Sequence, residues 1–143
     1  MVPFAAAFVC PSMPVLDPAA ATILVVEDEP TVCELAAETL LDEGYRVITA
    51  ADAWQAEAIL AGESIDMLFT DIDLARNTNG LALARWARRL CPELAVVYTS
   101  GGRACLPANE AVPGSIFVPK PYRPGQLVTL TRDVLRAASL DHA

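Results

Sequence analysis

A chain of 143 residues with 54% hydrophobic and 20% charged side chains has the size and composition of one globular domain, not of a disordered chain. A formal net charge of −8 argues against a general nucleic-acid binder, which needs a basic face; it suits a protein that handles a metal ion or a selected protein partner. Cys10, Cys33, Cys91 and Cys105 form no C-x-x-C pair, so free thiols in a reducing cytosol are expected, and the sole histidine, His142, argues against histidine-based catalysis.

The first segment, "MVPFAAAFVCPSMPVLDPAAA", has no basic residue before its apolar run and is broken by Pro3, Pro11, Pro14 and Pro18. It fits neither a signal peptide nor a membrane span, and residues 1–21 are expected to be a flexible leader. "TILVV" (22–26) is the first strand. Pro30 suits the first turn of a helix, with Val32, Leu35, Ala36, Thr39 and Leu40 on one face up to Gly44. "YRVITA" (45–50) is the second strand. Asp52 with Gln55 three residues on reads as a capping box, opening a helix that Gly62 closes.

"DMLFT" (66–70) is the third strand and ends at Asp71. The polar loop "DLARNTNG" leads to a helix over about 81–90, stopped by Pro92. "LAVVYTS" (94–100) and "SIFVPK" (115–120) are the fourth and fifth strands. Between them "GRACLPANEAVPG" carries two prolines and little periodicity, so the helix due there should be short or missing. The last helix, about 124–138, carries Leu127, Leu130, Val134 and Ala138 on one stripe, leaving 139–143 as a tail.

Near-continuous apolar strands separated by helix-length crossovers imply a parallel sheet covered on both faces, hence a five-stranded doubly wound α/β fold over residues 22–138. In such a sheet ligands bind outside the carboxyl ends of the strands. The first strand ends in Glu27 and Asp28, the third in Asp71, the fourth in Thr99 and Ser100, and the fifth in Lys120. Carboxylates from two strands can hold Mg²⁺ together with waters and a phosphate oxygen. A lysine adds a compact positive charge for a phosphoryl group, and a hydroxyl adds a hydrogen bond. A carboxylate facing such a group can be the nucleophile that forms an aspartyl phosphate.

The motifs "LVVEDEP", "MLFTDIDL", "VVYTSG" and "FVPKPY" occur in the order and near the spacing of a known family: the chain resembles the response-regulator receiver domains of two-component signalling. The resemblance implies the flavodoxin-like strand order 2-1-3-4-5 and a phosphoryl group accepted on Asp71 from a sensor histidine kinase or phosphotransfer protein. It implies Mg²⁺ bound by Asp28, Asp71 and the backbone carbonyl of Asp73, with Glu27 helping through water. Thr99 and Lys120 would each bond a phosphoryl oxygen. Phe117 matches the aromatic that turns inward when Thr99 moves toward the phosphate, and Lys120–Pro121 is a candidate cis peptide. The chain departs from the family in "IDLARNTNG", which replaces a proline-terminated turn and adds the Asp73 carboxylate.

The expected function is therefore a stand-alone, cytoplasmic phosphorylation switch that signals through protein–protein contact, with no nucleic acid or membrane as partner and a homodimer left open. It is not a classical enzyme, although it can catalyse its own phosphorylation and dephosphorylation. Two alternatives stand beside it. "DIDL" holds the D-x-D of haloacid-dehalogenase-type phosphohydrolases, but on the third strand instead of the first; a pseudo-receiver would bind a partner without phosphorylation. Glu29 is read as a helix-start residue, Arg85, Arg88 and Arg89 as a solvated helix face, Trp54 and Trp86 as packing residues, and Tyr122 as packing beside Pro121.

Overall fold

A computed structural model describes residues 21–141. All of the expected leader but Ala21, with Cys10 in it, and His142 lie outside the described residues. Nine elements follow in order: β1 (Thr22–Val26), α1 (Pro30–Asp42), β2 (Arg46–Ala50), α2 (Ala53–Gly62), β3 (Met67–Asp71), α3 (Gly80–Leu90), β4 (Ala95–Ser100), β5 (Ile116–Pro119) and α4 (Pro124–Asp141). All strand pairs are parallel, in the order β2-β1-β3-β4-β5, as the motifs imply.

Strand alternation divides the core into two layers. Leu24, Val26, Leu68, Val96 and Tyr98 face α2 and α3, meeting Ala56, Leu83, Ala84 and Ala87. Ile23, Val25, Met67, Phe69 and Val97 face α1 and α4, meeting Ala36, Leu40, Leu127 and Val134. A sheet buried on both sides requires apolar residues at odd and even positions alike, which is why β1, β3 and β4 read as unbroken apolar runs. Ala21, expected in the leader, is itself buried and its carbonyl accepts from Arg46 N–H at 3.0 Å, so this residue belongs to the packed domain.

Helix ends follow local rules. Pro30 opens α1. Gly44, at φ 95°, closes it: its N–H donates to Leu41 O at 3.0 Å while Tyr45 N–H donates to Leu40 O at 3.3 Å, a Schellman closure that buries Tyr45 with Leu40. Asp52 caps α2 by accepting from Gln55 N–H at 2.9 Å, but Gln55 returns its oxygen to Ala51 N–H at 2.8 Å and not to Asp52, a box displaced by one residue.

The segment between β4 and β5 contains no helix, as its two prolines lead one to expect. Other expectations change. Leu35 points outward at 55% exposure, so the buried face of α1 is Ala36 and Leu40, with Cys33 half-buried beside them. Trp54 is 66% exposed, whereas Trp86 packs against the α2–α3 layer. α4 also runs on to Asp141, three residues beyond the expected end.

Candidate functional site

The carboxyl edge of the sheet gathers the expected side chains. β1 delivers Glu27 into a buried position and leaves Asp28 exposed; β3 delivers Asp71 buried at its last residue. Glu27 N–H donates to Ala50 O at 3.0 Å, tying the end of β1 to β2. Ligand oxygens of Glu27, Asp28 and Asp71 all lie within 4.8 Å of one another. The Asp73 carboxylate is not in this group; Asp73 instead donates its backbone N–H to Asp71 Oδ1 at 3.2 Å.

Lys120 reaches into the cluster from the end of β5. Its Nζ lies 2.7 Å from Glu27 Oε1 and 2.8 Å from Asp71 Oδ2, bridging the two buried carboxylates. Burial lowers the ammonium pKa, but the hydrogen bonds to Asp71 and Glu27 outweigh it and hold the group at about 12, fully charged at neutral pH. Burial drives the Glu27 carboxyl above its ordinary range against the opposing hydrogen bonds from Lys120 and the Glu29 amide. Crowded acids at this edge thus gain one fixed positive charge and keep an open side at Asp28.

Thr99 follows Tyr98 on β4 and pairs in register with Asp71. Its carbonyl accepts from Ile72 N–H at 2.9 Å, while its Oγ1 is buried with no hydrogen-bond partner. A buried hydroxyl without a partner is costly, and one beside a buried carboxylate is suited to a ligand oxygen. Ser100 is bound differently: its Oγ accepts from Gly102 N–H at 3.1 Å. Phe117 is half-buried against the α2–α3 layer in register with Tyr98. The Lys120–Pro121 peptide is cis. Tyr122 packs edge-on against Phe69, with ring centroids 5.6 Å apart, rather than merely beside Pro121.

One site residue escaped the sequence reading. Gly80, the first residue of α3, sits against the backbone of Asp71: a methyl group there would collide with the Asp71 carbonyl oxygen and lie 3.0 Å from its carbonyl carbon. Its N–H donates to Ile72 O at 2.8 Å. The pair Asn79–Gly80 carries a turn signal, and Asn79 Oδ1 caps the helix on Leu81 N–H, but the close approach itself has no sequence signature. The arginines of α3 are also more than a solvated face. Arg88 Nε donates to Leu94 O at 2.7 Å and Arg85 Nη1 to Glu110 O at 3.5 Å.

The donor set fits a hard divalent cation, since three carboxylates converge with one side exposed. Fold and site together define a doubly wound α/β domain with a lysine-bridged cluster of carboxylates at the carboxyl edge of its sheet. The family described as response regulator receiver domain matches residues 23–132, and the chain belongs to it. The chain is 36% identical to the nitrogen assimilation regulatory protein NtrX of Azorhizobium caulinodans over 121 residues, covering 82% of this chain and 27% of that protein. It is 36% identical to the alginate biosynthesis transcriptional regulatory protein AlgB of Pseudomonas aeruginosa, over 73% of this chain and 24% of that one. It therefore spans about a quarter of the length of these curated relatives. A response regulator receiver protein from Sinorhizobium medicae superposes with a TM-score of 0.79 at 35% identity, covering 83% of this chain and 97% of that chain. Receiver domains of this family are phosphoacceptor switches of two-component systems, not classical enzymes, and the phosphohydrolase alternative gains no support from these likenesses. No helix among the described residues is long and apolar enough to cross a membrane.

Proposed function

We propose that Asp71 is the phosphoryl acceptor of this chain, loaded by a sensor histidine kinase or phosphotransfer protein, and that the aspartyl phosphate changes which protein the domain binds. The observation that carries this reading is the pairing of a buried, lysine-bound carboxylate at the end of β3 with the unpartnered buried hydroxyl of Thr99 on the adjacent strand. Attack by an Asp71 oxygen on phosphorus forms the acyl phosphate and breaks the bond to the donor nitrogen, or to the acyl oxygen of a small donor. Lys120 then loses its contact with the esterified oxygen and keeps its charge for a phosphoryl oxygen, while the Thr99 hydroxyl supplies a donor within the same site. Phe117 is the aromatic that turns inward as Thr99 moves.

Mg²⁺ is the cation this reading requires, held by Asp28, Asp71 and the Asp73 carbonyl, with Glu27 acting through water. When bound, it neutralises charge on the phosphoryl oxygens. Signalling through a protein partner is supported by the acidic balance, which disfavours direct nucleic-acid binding by this domain; a single-domain, cytoplasmic mode of action belongs to the same reading. A homodimer is compatible with it.

Intact mass after incubation with Mg²⁺ and acetyl phosphate tests the acceptor. A phosphoryl adduct is expected on the native chain and none on Asp71→Asn; equal labelling of both would refute the assignment. A rising melting temperature on titration with Mg²⁺ is the expected mark of the cation site.

A further inference from the structure

We propose that Arg76 is a positioning residue for Asp71, acting through its ion pair with the buried Asp52; the proposal rests on the reading of Asp71 as the acceptor. Residues 72–79 form a compact hairpin rather than an open loop. Asp73 faces Asn79 in an antiparallel bridge, Leu74 N–H donates to Thr78 O at 3.2 Å, and Thr78 N–H donates to Ala75 O at 3.2 Å. The two central residues of its turn, Arg76 and Asn77, have φ of 61° and 57°. A turn with both central residues left-handed favours Asn-Gly or Asp-Gly. Asn77 tolerates that region; an arginine is disfavoured there, because its Cβ crowds the carbonyl.

The arginine has a reason to be at the turn. Its Nε lies 3.5 Å from Asp52 Oδ2. Asp52 is 4% exposed and uses Oδ1 to cap α2, so Oδ2 is the oxygen left for the hairpin. A buried carboxylate needs an opposite charge or further donors, and Arg76 brings that charge from the neighbouring loop. At its other end the hairpin carries Asp73, whose N–H holds Asp71 Oδ1, and whose carbonyl is a proposed cation ligand. Asp52, Arg76, the hairpin and the Asp73 amide thus form one mechanical chain from the start of α2 to the acceptor carboxylate.

Charge and position predict opposite results, which makes the proposal testable. As a mere positive charge near an acidic site, Arg76 would repel Mg²⁺, and removing it would tighten binding. As a positioning residue, its loss weakens binding. The variants are Arg76→Asn, which suits the left-handed turn, Arg76→Lys, which keeps the charge, Asp52→Asn, which keeps the helix cap, and the double variant Arg76→Asn with Asp52→Asn. Three readouts are taken on the full chain: Mg²⁺ affinity from thermal titration, the rate of adduct formation with acetyl phosphate, and hydrogen exchange over residues 72–79.

We expect Arg76→Asn to weaken Mg²⁺ binding and slow adduct formation by roughly three- to tenfold, with faster hairpin exchange and partial rescue in Arg76→Lys. The double variant should be no worse than the weaker single. Tighter Mg²⁺ binding in Arg76→Asn, or independent and additive effects of the two substitutions, would overturn the proposal. If the native chain itself takes no phosphoryl group, the acceptor reading fails separately. Hairpin exchange then still decides: acceleration in both single variants supports the tether, and unchanged exchange overturns it.

Discussion

The connections after β3 and after β4 leave the same edge of the sheet and are built in opposite ways. The β3–α3 connection closes on itself through backbone hydrogen bonds and then starts a helix with Gly80 pressed against Asp71. The β4–β5 connection, residues 101–115, replaces a helix with an irregular path pinned by side chains. Tyr98, fully buried on β4, accepts Val112 N–H on its hydroxyl at 3.1 Å; Arg103 pairs with Glu110 at 2.8 Å; Ser115 Oγ donates to Val112 O at 2.6 Å. Backbone closure holds the Asp71 carboxylate in one place, the positioning that the proposed acceptor needs. The β4–β5 connection has only isolated backbone turns, Glu110 N–H to Pro107 O at 3.0 Å and Ser115 N–H to Val112 O at 3.2 Å, between those side-chain pins.

Glycines sharpen the contrast most. Gly80→Ala should cost about 2–3 kcal/mol, because the new methyl meets backbone that cannot yield, and it should impair adduct formation by displacing Asp71. Gly102→Ala in the other connection meets nothing within 4 Å and should stay within about 0.5 kcal/mol of the native chain. Urea unfolding midpoints compare the two; similar losses in both would erase the distinction.

Tyr98→Phe comes next. Losing the hydroxyl strands the buried Val112 N–H, at an expected cost of about 1–3 kcal/mol. Hydrogen exchange should accelerate across 101–115 and remain unchanged across 72–79, with Asp71 still labelled by acetyl phosphate. Acceleration spread evenly over both connections would mean that they are one cooperative unit.

A pH experiment probes the layer beneath the site. Burial raises the Tyr122 phenol from 10.0 to about 12. Below pH 10 both folded and unfolded chains keep the proton, so nothing is linked to folding. Between pH 10 and 12 the unfolded chain releases it first, so stability falls as pH rises, by up to about 1.4 kcal/mol per pH unit for one proton. Tyr122→Phe keeps the edge contact with Phe69 and should have a shallower alkaline slope than the native chain. Parallel slopes would assign the alkaline loss to Lys120, whose stabilisation is present below 10.5 and is lost through about 12. The smallest effect belongs to Glu110→Gln. Its half-exposed pair with Arg103 should contribute under about 1 kcal/mol, and less in high salt.

Much of the site was legible because it sits at strand ends. Apolar runs that stop at Glu27, Asp71, Thr99 and Lys120 announce both the strands and the edge where they meet. The two prolines between β4 and β5 announced the missing helix. Other features were not legible for identifiable reasons. Trp54 and Leu35 satisfy helical spacing yet face solvent, because periodicity gives a helix face without saying how wide a stripe the sheet can cover. The motif implied a role for the Asp73 carbonyl and left the placement of its extra carboxylate undefined; the chain turns into the hairpin after Asp71 and leaves that residue exposed, outside the acidic cluster.

The sequence by itself determined the parallel sheet, the order of its elements and the chemical types delivered to one edge, since these follow from patterning and from where each apolar run stops. Only the tertiary structure decided that Lys120 spans Glu27 and Asp71, that Thr99 keeps an unpartnered hydroxyl, that Gly80 must lack a side chain, and that Arg76 reaches Asp52. These are contacts between residues far apart in the chain or across a turn of unusual hand. Their distances are set by how two packed layers bring separate loops together, which no local pattern encodes.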